Sequence, residues 1–224
     1  MYLIYIDVYE IQTLPKAGYW KLDDGSGTTA LDSSGNNHNG TLYGTGLSWV
    51  TGHFNGALSF AGGTTNWSYV DADANSGLKT SATSMVFWMK CPVSYQAWAP
   101  IVCLVGKSAD YDITIDDGGH LQLFRSVRSA STALTNPTTR TVNNNQWHHV
   151  AFTLDATGNA CKIYIDGTPD VSGAFGYSET VSKIRLGYRT RNTWAWYKGA
   201  LDDVKSFDKA LSPTEITTEY ETIP

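Results

Sequence analysis

Charged residues and cysteines are scarce in this sequence, and each shortage excludes a class of protein. Of the 224 residues, 17% are Asp, Glu, Lys or Arg, and the net charge is -5. A chain without an excess of basic residues has no footprint for nucleic-acid phosphates, so we exclude a nucleic-acid partner. The three cysteines, Cys91, Cys103 and Cys161, show no CxxC spacing, which argues against a disulfide scaffold and a zinc site. We expect three small buried side chains, and one disulfide between two of them stays an alternative.

Long apolar runs are also missing. No segment approaches the length of a transmembrane helix, so we expect no insertion into a membrane. The N-terminus, MYLIYIDVYEIQTLPKAG, lacks the basic start and long apolar run of a signal peptide. Its alternating side chains predict a strand that docks on a neighbouring chain or domain. We therefore assign residues 1–17 to an N-terminal extension and residues 18–224 to one domain; the chain is either made in the cytosol or a fragment whose export signal lies elsewhere.

Glutamate is the third shortage, and it bears on catalysis. The glutamates are Glu10, Glu179, Glu215, Glu219 and Glu221. None forms a paired acidic motif on a predicted strand, although hydrolysis of a glycosidic bond needs two carboxylates at a fixed separation. Asp110 and Asp112 share a strand face, but they border a hairpin turn. The adjacent His148 and His149 have no local Ser, Cys or carboxylate motif, so we expect structural histidines and no enzymatic activity.

The residues that are abundant favour β-structure. Thr, Ser, Asn and 21 Gly separate roughly a dozen short apolar runs, as is typical of strands joined by tight turns. The clearest strands are residues 84–90 (SMVFWMK) and 146–154 (QWHHVAFTL). Eight Trp, 13 Tyr and 7 Phe can fill a core. No interior stretch carries a long 3.6-residue period, so the sequence predicts an all-β fold of two packed antiparallel sheets.

Residues 199–220, GALDDVKSFDKALSPTEITTEY, predict a strand, a tight corner and one short C-terminal helix. Ser212 suits the N-cap and Pro213 the first helical position, while Glu215 can complete a capping box. The carboxylate pair Asp202 and Asp203 lies in the strand. This stretch closes a chain that is β-patterned almost everywhere else.

An oxygen-rich loop, residues 32–37 (DSSGNN), suits a hard cation such as calcium, which needs several oxygens on a kinked backbone. Its spacing differs from that of an EF-hand. The alternative is a loop of Asx turns that holds no metal.

Two aromatic loops are candidates for ligand binding. Sugar recognition combines aromatic faces for stacking with amides, carboxylates or guanidinium groups for the hydroxyls. We expect the ligand-binding side chains to be Trp98, Arg189, Arg191, Trp194, Trp196 and Tyr197. The alternative is that these aromatic rings pack under loops or against a neighbouring subunit.

Four segments, in this order, make the sequence recognisable. They are residues 30–42 (ALDSSGNNHNGTL), 56–71 (GALSFAG followed by WSYVD), 145–167 (NQWHHVAFTLDATGNACKIYIDG) and 183–216 (KIRLGYRTRNTWAWYKGALDDVKSFDKALSPTEI). Together they resemble the laminin G-like, concanavalin A-like jelly-roll family of bacterial and phage surface proteins. The resemblance spans most of the chain from Tyr19 onward, and the first 17 residues fall outside it.

The resemblance implies a sandwich of two curved antiparallel sheets and a module that binds rather than catalyses. It also implies one structural calcium, because the aspartate of the DSSGN loop and the first carboxylate of the DDV strand lie together in the family pattern. These positions are Asp32 and Asp202 here, and Asn36 with backbone carbonyls would complete the shell.

We therefore predict a non-catalytic, lectin-like binding or adhesion module, most consistent with a carbohydrate ligand, on a surface or phage particle. The alternative is a structural or decoration subunit of a phage, virion or surface assembly with no glycan ligand; a glycoside hydrolase or lyase is the least favoured. The expected partner is a glycan or surface protein, and the N-terminal strand predicts a homo-oligomer or assembly contact. The expected location is extracellular, on a cell surface or on a virion.

Overall fold

The computed structural model describes residues 14–62, 67–73, 82–93, 98–128, 130–189 and 196–223. These ranges contain sixteen β-strands and one α-helix. In chain order the elements are β1 (Gly18–Trp20), β2 (Thr29–Ala30), β3 (Gly40–Gly44), β4 (Leu47–Thr51), β5 (Gly56–Phe60), β6 (Ser68–Asp73), β7 (Ala82–Lys90), β8 (Ala99–Gly106), β9 (Asp110–Ile115), β10 (Leu121–Val127), β11 (Ala130–Ala133), β12 (Trp147–Asp155), β13 (Ala160–Ile165), β14 (Thr168–Gly173), β15 (Val181–Leu186), β16 (Gly199–Phe207) and α1 (Pro213–Glu221).

The strands form two antiparallel sheets. The first sheet has the order β14-β13-β12-β7-β16-β5-β4, with β1 paired to β16 beside this path. The second sheet has the order β11-β10-β9-β8-β15-β6-β3-β2. Strands that are distant in sequence are therefore neighbours in both sheets. The predicted all-β, two-sheet sandwich with one short C-terminal helix is confirmed.

The core lies between the two sheets, and strand alternation decides which side chains enter it. On β7, Met85, Phe87 and Met89 belong to the main buried cluster, while Val86 and Trp88 point to the opposite face. We call the face of each sheet that is directed away from the other sheet its outer face. The cysteines Cys91, Cys103 and Cys161 are all free and buried, as expected from the sequence.

Helix α1 covers part of the outer face of the first sheet. A second apolar cluster holds it there, made of Val86, Ala151, Tyr164, Phe207, Leu211 and Ile216. The helix begins with the predicted capping box: Glu215 N donates to Ser212 Oγ at 3.3 Å, and Ser212 N donates to Glu215 Oε2 at 2.8 Å. In the part of the chain that the structure describes, no helix is long and apolar enough to cross a membrane.

Candidate ligand-binding face of the second sheet

One cross-strand row runs over the outer face of the second sheet. Strand pairing places its members side by side from β10 to β3: Phe124, Asp112, Cys103, Arg185, Asp71 and Thr41. Their sequence neighbours Ile113, Leu104, Ile184 and Val70 enter the core, so alternation turns the row outward. Charged groups from strands far apart in sequence are thereby brought together on one surface.

An ion cluster occupies the middle of this row. Arg185 Nε and Nη2 donate to Asp71 Oδ1 and Oδ2 at 2.5 and 2.8 Å, and Lys183 Nζ lies 3.1 Å from Asp71 Oδ2. Partial burial acts to raise the pKa of Asp71, but the hydrogen bonds and charges of Arg185 and Lys183 outweigh it and lower that pKa. The Arg185 guanidinium also lies over the Tyr69 ring, 4.4 Å from its centroid. The bidentate contact therefore fixes both charges in position.

Beside the ion cluster stands a series of aromatic rings that we call the aromatic ladder, formed by Tyr43, Trp67, Tyr69, Tyr188 and Trp196. Ring centroids are separated by 5.0 Å for Tyr43–Tyr69, 5.4 Å for Tyr69–Tyr188 and 6.3 Å for Tyr188–Trp196, and each of these pairs is stacked. The Trp67 ring is tilted against Tyr69 at 6.4 Å. Trp67 and Tyr43 are 55% and 42% exposed, so the ladder presents aromatic surface to solvent.

A glycine allows the end of β3 to lie close to the backbone of Trp67. Gly44 adopts a φ of 92°, in the left-handed region that favours glycine. A Cβ at this position would collide with the carbonyl oxygen of Trp67. The end of β3 can therefore lie close enough to the start of β6 for Tyr43 and Tyr69 to stack.

The two aromatic residues at the end of the predicted ligand loop, Trp196 and Tyr197, have different surroundings in the structure. Trp196 joins the aromatic ladder, as a ligand-binding role requires. Tyr197 has no exposed surface, and its hydroxyl lies 3.4 Å from the Lys90 carbonyl oxygen and 3.2 Å from the Ala200 carbonyl oxygen. The prediction that Tyr197 contacts a ligand is wrong, because the ring fills the core.

The prediction that Arg189 contacts a ligand is also corrected. Its guanidinium is buried, and Nη1 lies 3.0 Å from Oδ2 of the buried Asp112. The charge of this buried side chain is engaged by a carboxylate of the outward-facing row. Trp98 is 44% exposed, and its ring packs edge-on against Phe124 of β10. Arg191 and Trp194 lie outside the described residues.

Sequence reasoning missed most of the ladder and the ion cluster. The alternation in TLYG (residues 41–44) and WSYVD (residues 67–71) could have turned Tyr43, Tyr69 and Asp71 to one side of their strands. It could not show that β3, β6 and β15 are neighbours, so the link from these residues to Arg185 and Tyr188 needed the sheet order.

The predicted calcium ligand Asp32 is used as a loop cap. Its Oδ1 accepts from Tyr19 N and Ser34 N, both at 2.9 Å, and its Oδ2 accepts from Ser34 Oγ at 2.8 Å and His38 N at 2.9 Å. These four donors use the lone-pair positions of the carboxylate. Asn36 Nδ2 donates to the carbonyl oxygens of Lys16 and Ala17, at 3.2 and 3.1 Å.

Asp202 holds a different turn. Its Oδ2 accepts from His53 N at 2.8 Å and Phe54 N at 2.9 Å, and it shares no hydrogen-bond partner with Asp32 or Asn36. Within the described ranges, no group of three or more His, Cys, Asp and Glu side chains could hold a metal ion. As arranged, both oxygens of Asp32 and Oδ2 of Asp202 accept hydrogen bonds from the protein, and each carboxylate holds its own turn. The calcium stays a prediction.

The buried Asp202 gives a testable pH dependence. Burial, and secondarily Asp203 and Asp23, raise its pKa from 3.8 to about 7, against the hydrogen bonds from His53 N and Phe54 N. Because the folded pKa lies above the unfolded one, its contribution to stability is present at acidic pH and lost as the pH rises through about 7. We therefore compare the free energy of unfolding of Asp202→Asn with that of the wild type at each pH. The difference, variant minus wild type, is expected to be about 2–3 kcal/mol more favourable to the variant at pH 8 than at pH 5.

Urea unfolding of both proteins at pH 5 and pH 8 measures this difference. Asparagine keeps a side-chain oxygen for the two backbone donors, so the turn itself is preserved. The exposed Asp117→Asn serves as the control and should show no such gain. An equal difference between variant and wild type at both pH values would contradict the prediction.

The fold and this face define a class of protein. An antiparallel sandwich of two eight-stranded sheets with aromatic rings on one outer face has the architecture of lectin-like jelly-roll domains. The chain belongs to the concanavalin A-like lectin/glucanases superfamily, in its laminin G branch, whose family model matches residues 62–217.

Solved structures give the same fold. Domain 4 of AbnA, a GH43 extracellular arabinanase from Geobacillus stearothermophilus, solved with arabinotriose, is 19% identical with a TM-score of 0.69 over 92% of this chain and 98% of that chain. The binding domain of Paraclostridial Mosquitocidal Protein 1 is 17% identical, with a TM-score of 0.68 over 92% of this chain and 52% of that chain. The binding domain of Botulinum Neurotoxin DC, in complex with SialylT, is 16% identical, with a TM-score of 0.67 over 92% of this chain and 50% of that chain.

This chain therefore spans nearly the whole of the arabinanase domain and about half of the toxin binding domains. At these identities the likeness shows the fold alone. Comparison with curated protein sequences gives no match.

Proposed function

We propose that the protein is a non-catalytic carbohydrate-binding module that holds a glycan against the aromatic ladder. The observation that carries this proposal is the exposed surface of Trp67 and Tyr43 at the side of a fixed ion cluster. Sugar rings stack their C–H faces on aromatic surface, and aimed charged groups orient their hydroxyls. Lys183, whose side chain is about half exposed, supplies a donor next to the rings, and the largely buried Arg185–Asp71 pair holds this part of the face in position.

The partners of the two carboxylates on this face favour a binding function over glycoside hydrolysis. Asp112 is buried and engaged by Arg189 and by Thr114 Oγ1 at 2.6 Å. Asp71 is neutralised by Arg185 and Lys183. A glycosidase needs one carboxylic acid and one free carboxylate on opposite sides of the scissile bond. Both carboxylates instead have roles in holding arginine side chains.

The ligands found in similar structures support the choice of ligand class. The arabinanase domain was solved with arabinotriose and the toxin domain with SialylT, whereas another Botulinum neurotoxin DC structure holds rat synaptotagmin II. A glycan carried by a surface protein would offer this module both kinds of partner, a carbohydrate and a protein. We accordingly place the module outside the cell, on a cell surface or virion.

The alternative function, a structural or decoration subunit without a glycan ligand, stays a prediction. So does assembly through the N-terminal strand, because residues 1–13 lie outside the described residues.

A glycan array with purified wild-type protein, followed by calorimetry with the best oligosaccharide, tests the proposal. Trp67→Ala and Tyr43→Ala are each expected to weaken binding about 10- to 30-fold, since a central aromatic contact contributes about 1.5–2 kcal/mol. Both side chains are exposed, so the fold should survive.

Trp98→Ala is the matched control, because this tryptophan is similarly exposed on the same sheet and its ring contact among the described residues is with Phe124, not with a ring of the ladder. Unchanged affinity in both ladder variants would refute the site. If only Trp98→Ala weakened binding, the ligand would lie at the β10 end instead. A wild-type protein that binds no glycan would count against the function itself.

A further inference from the structure

A buried histidine lies on the outer face of the first sheet, away from the aromatic ladder. His149 of β12 is 1% exposed, and neither ring nitrogen has a hydrogen-bond partner among the described residues. Its ring packs edge-on against Trp88 of β7, with centroids 5.3 Å apart, and against Tyr220 of α1 at 5.5 Å. Burial favours the neutral form of this imidazole, because a charged ring would lose its solvation without gaining a hydrogen-bond partner among the described residues.

The contact with Tyr220 links this histidine to helix α1. The Tyr220 ring also lies 5.8 Å from that of Trp88, so it covers the tryptophan and the histidine together. One residue earlier in the helix, Glu219 pairs with Lys205 of β16 at 3.0 Å. The C-terminal half of α1 therefore forms the roof over His149.

The charged and titratable groups around His149 come from four elements. Lys205 of β16 opposes a second positive charge, and its ammonium is held by Asp203 and Glu219. Asp166, in the turn after β13, accepts a hydrogen bond from His149 N at 3.0 Å and favours the charged ring. His53, in the turn after β4, stacks on Trp88 at 3.8 Å. Burial and Lys205 prevail, lowering the pKa of His149 to about 3.

We propose that His149 is an acid-sensitive latch for helix α1: a proton is taken up only when the helix leaves the sheet, so mild acidity raises the fraction of molecules in which the helix is open. Release would expose the apolar surface of Val86, Ala151 and Phe207 beneath it. The two sheets need not unfold, because the core between them is a separate cluster from the one that holds α1.

The expected size follows from proton linkage. In the open state His149 should titrate near the ordinary histidine pKa of about 6.5. The opening constant of α1 then grows about tenfold for each pH unit below that value, which gives a rise of about 30-fold between pH 7.5 and pH 5.0.

Hydrogen exchange of the whole chain, followed by mass spectrometry at pH 7.5 and pH 5.0, tests the latch. After correction for the intrinsic exchange rate, peptides from residues 213–221 should show an opening constant about 30-fold larger at pH 5.0. Peptides from β7 and β12 should show no comparable rise. His149→Phe fills the same aromatic space without a titratable nitrogen and should abolish the pH response.

His148→Asn is the control. His148 is bonded to Asp166 and Asn144, at 3.0 Å each, and does not contact the helix in the described structure, so this variant should keep the response. A pH response that persists in His149→Phe would overturn the proposal. The same holds for an equal rise across both sheets, or for no rise in the wild type. If His149→Phe does not fold, an NMR titration of the wild type decides: a His149 pKa near 6.5 with α1 still protected would overturn the latch.

Discussion

Replacing Lys205 by methionine is expected to lower the free energy of unfolding by about 3–5 kcal/mol. The Lys205 ammonium lies 2.7 Å from Asp203 Oδ2 and 3.0 Å from Glu219 Oε2, and all three side chains are buried. The substitution leaves two carboxylates in a site with little access to water and no cation. It also cuts the ionic contact between β16 and α1. Urea unfolding at pH 7.5, followed by tryptophan fluorescence, measures the loss.

Lys209→Met is the matched control for this experiment. Lys209 precedes α1, and its Nζ lies 2.5 Å from Oε1 of Glu215 in that helix. The Lys209 side chain is about half exposed. A solvent-exposed pair contributes less than about 1 kcal/mol, so this variant should be nearly as stable as the wild type. Adding Glu219→Gln to Lys205→Met should recover part of the loss, because one of the two stranded charges is removed. Equal stability of the two lysine variants would contradict the prediction.

The second large effect is expected at Arg189, whose partner Asp112 lies in the outward-facing row of the second sheet. Arg189→Met takes the guanidinium away from Asp112, whose carboxylate is buried, and should destabilise the protein by about 3–5 kcal/mol. Burial already raises the pKa of Asp112, against the charge of Arg189 and the hydrogen bond from Thr114. Without the arginine that pKa rises further. The defect should therefore be larger at pH 8, where the stranded carboxylate must stay charged, than at pH 5.

Two further variants separate the charge effect from a packing effect. Asp112→Asn in the Arg189→Met background should restore part of the stability, since the uncharged amide keeps polar atoms for Thr114 and Ser126. Lys183→Met removes an exposed partner of Asp71 on the same sheet and should cost less than about 1 kcal/mol. A double variant as unstable as Arg189→Met at pH 8 would show that lost packing, not the unpaired charge, causes the defect.

The fold was predictable because its signals are local. The alternation of Met85, Val86 and Phe87 assigns β7 and its two faces within a few residues, and Ser212 with Glu215 fixes the start of α1. The candidate site was predictable only in part. Trp196 lies in the aromatic ladder, but its neighbour Tyr197 is buried, and sequence alone gives no reason to divide two adjacent aromatic residues.

Long-range pairing explains what the sequence could not supply. Arg185 meets Asp71 because β15 lies beside β6, more than a hundred residues away along the chain. The register shift between Asp202 and Lys205 on β16 determines which carboxylates face the first sheet's outer side, and Asp203 there has a φ of 53°. A family resemblance placed Asp32 and Asp202 in one ion site, whereas the structure gives each carboxylate its own turn to hold.

The local sequence was enough to predict an all-β sandwich that is closed by one capped helix. These features follow from the two-residue period of strands, from turn chemistry and from composition, all of which act over short distances. The tertiary structure was needed to place the aromatic ladder, to pair Arg185 with Asp71 and Arg189 with Asp112, and to enclose His149 beneath α1. Those outcomes depend on which strands become neighbours and on what covers each face, and no local pattern of side chains specifies either.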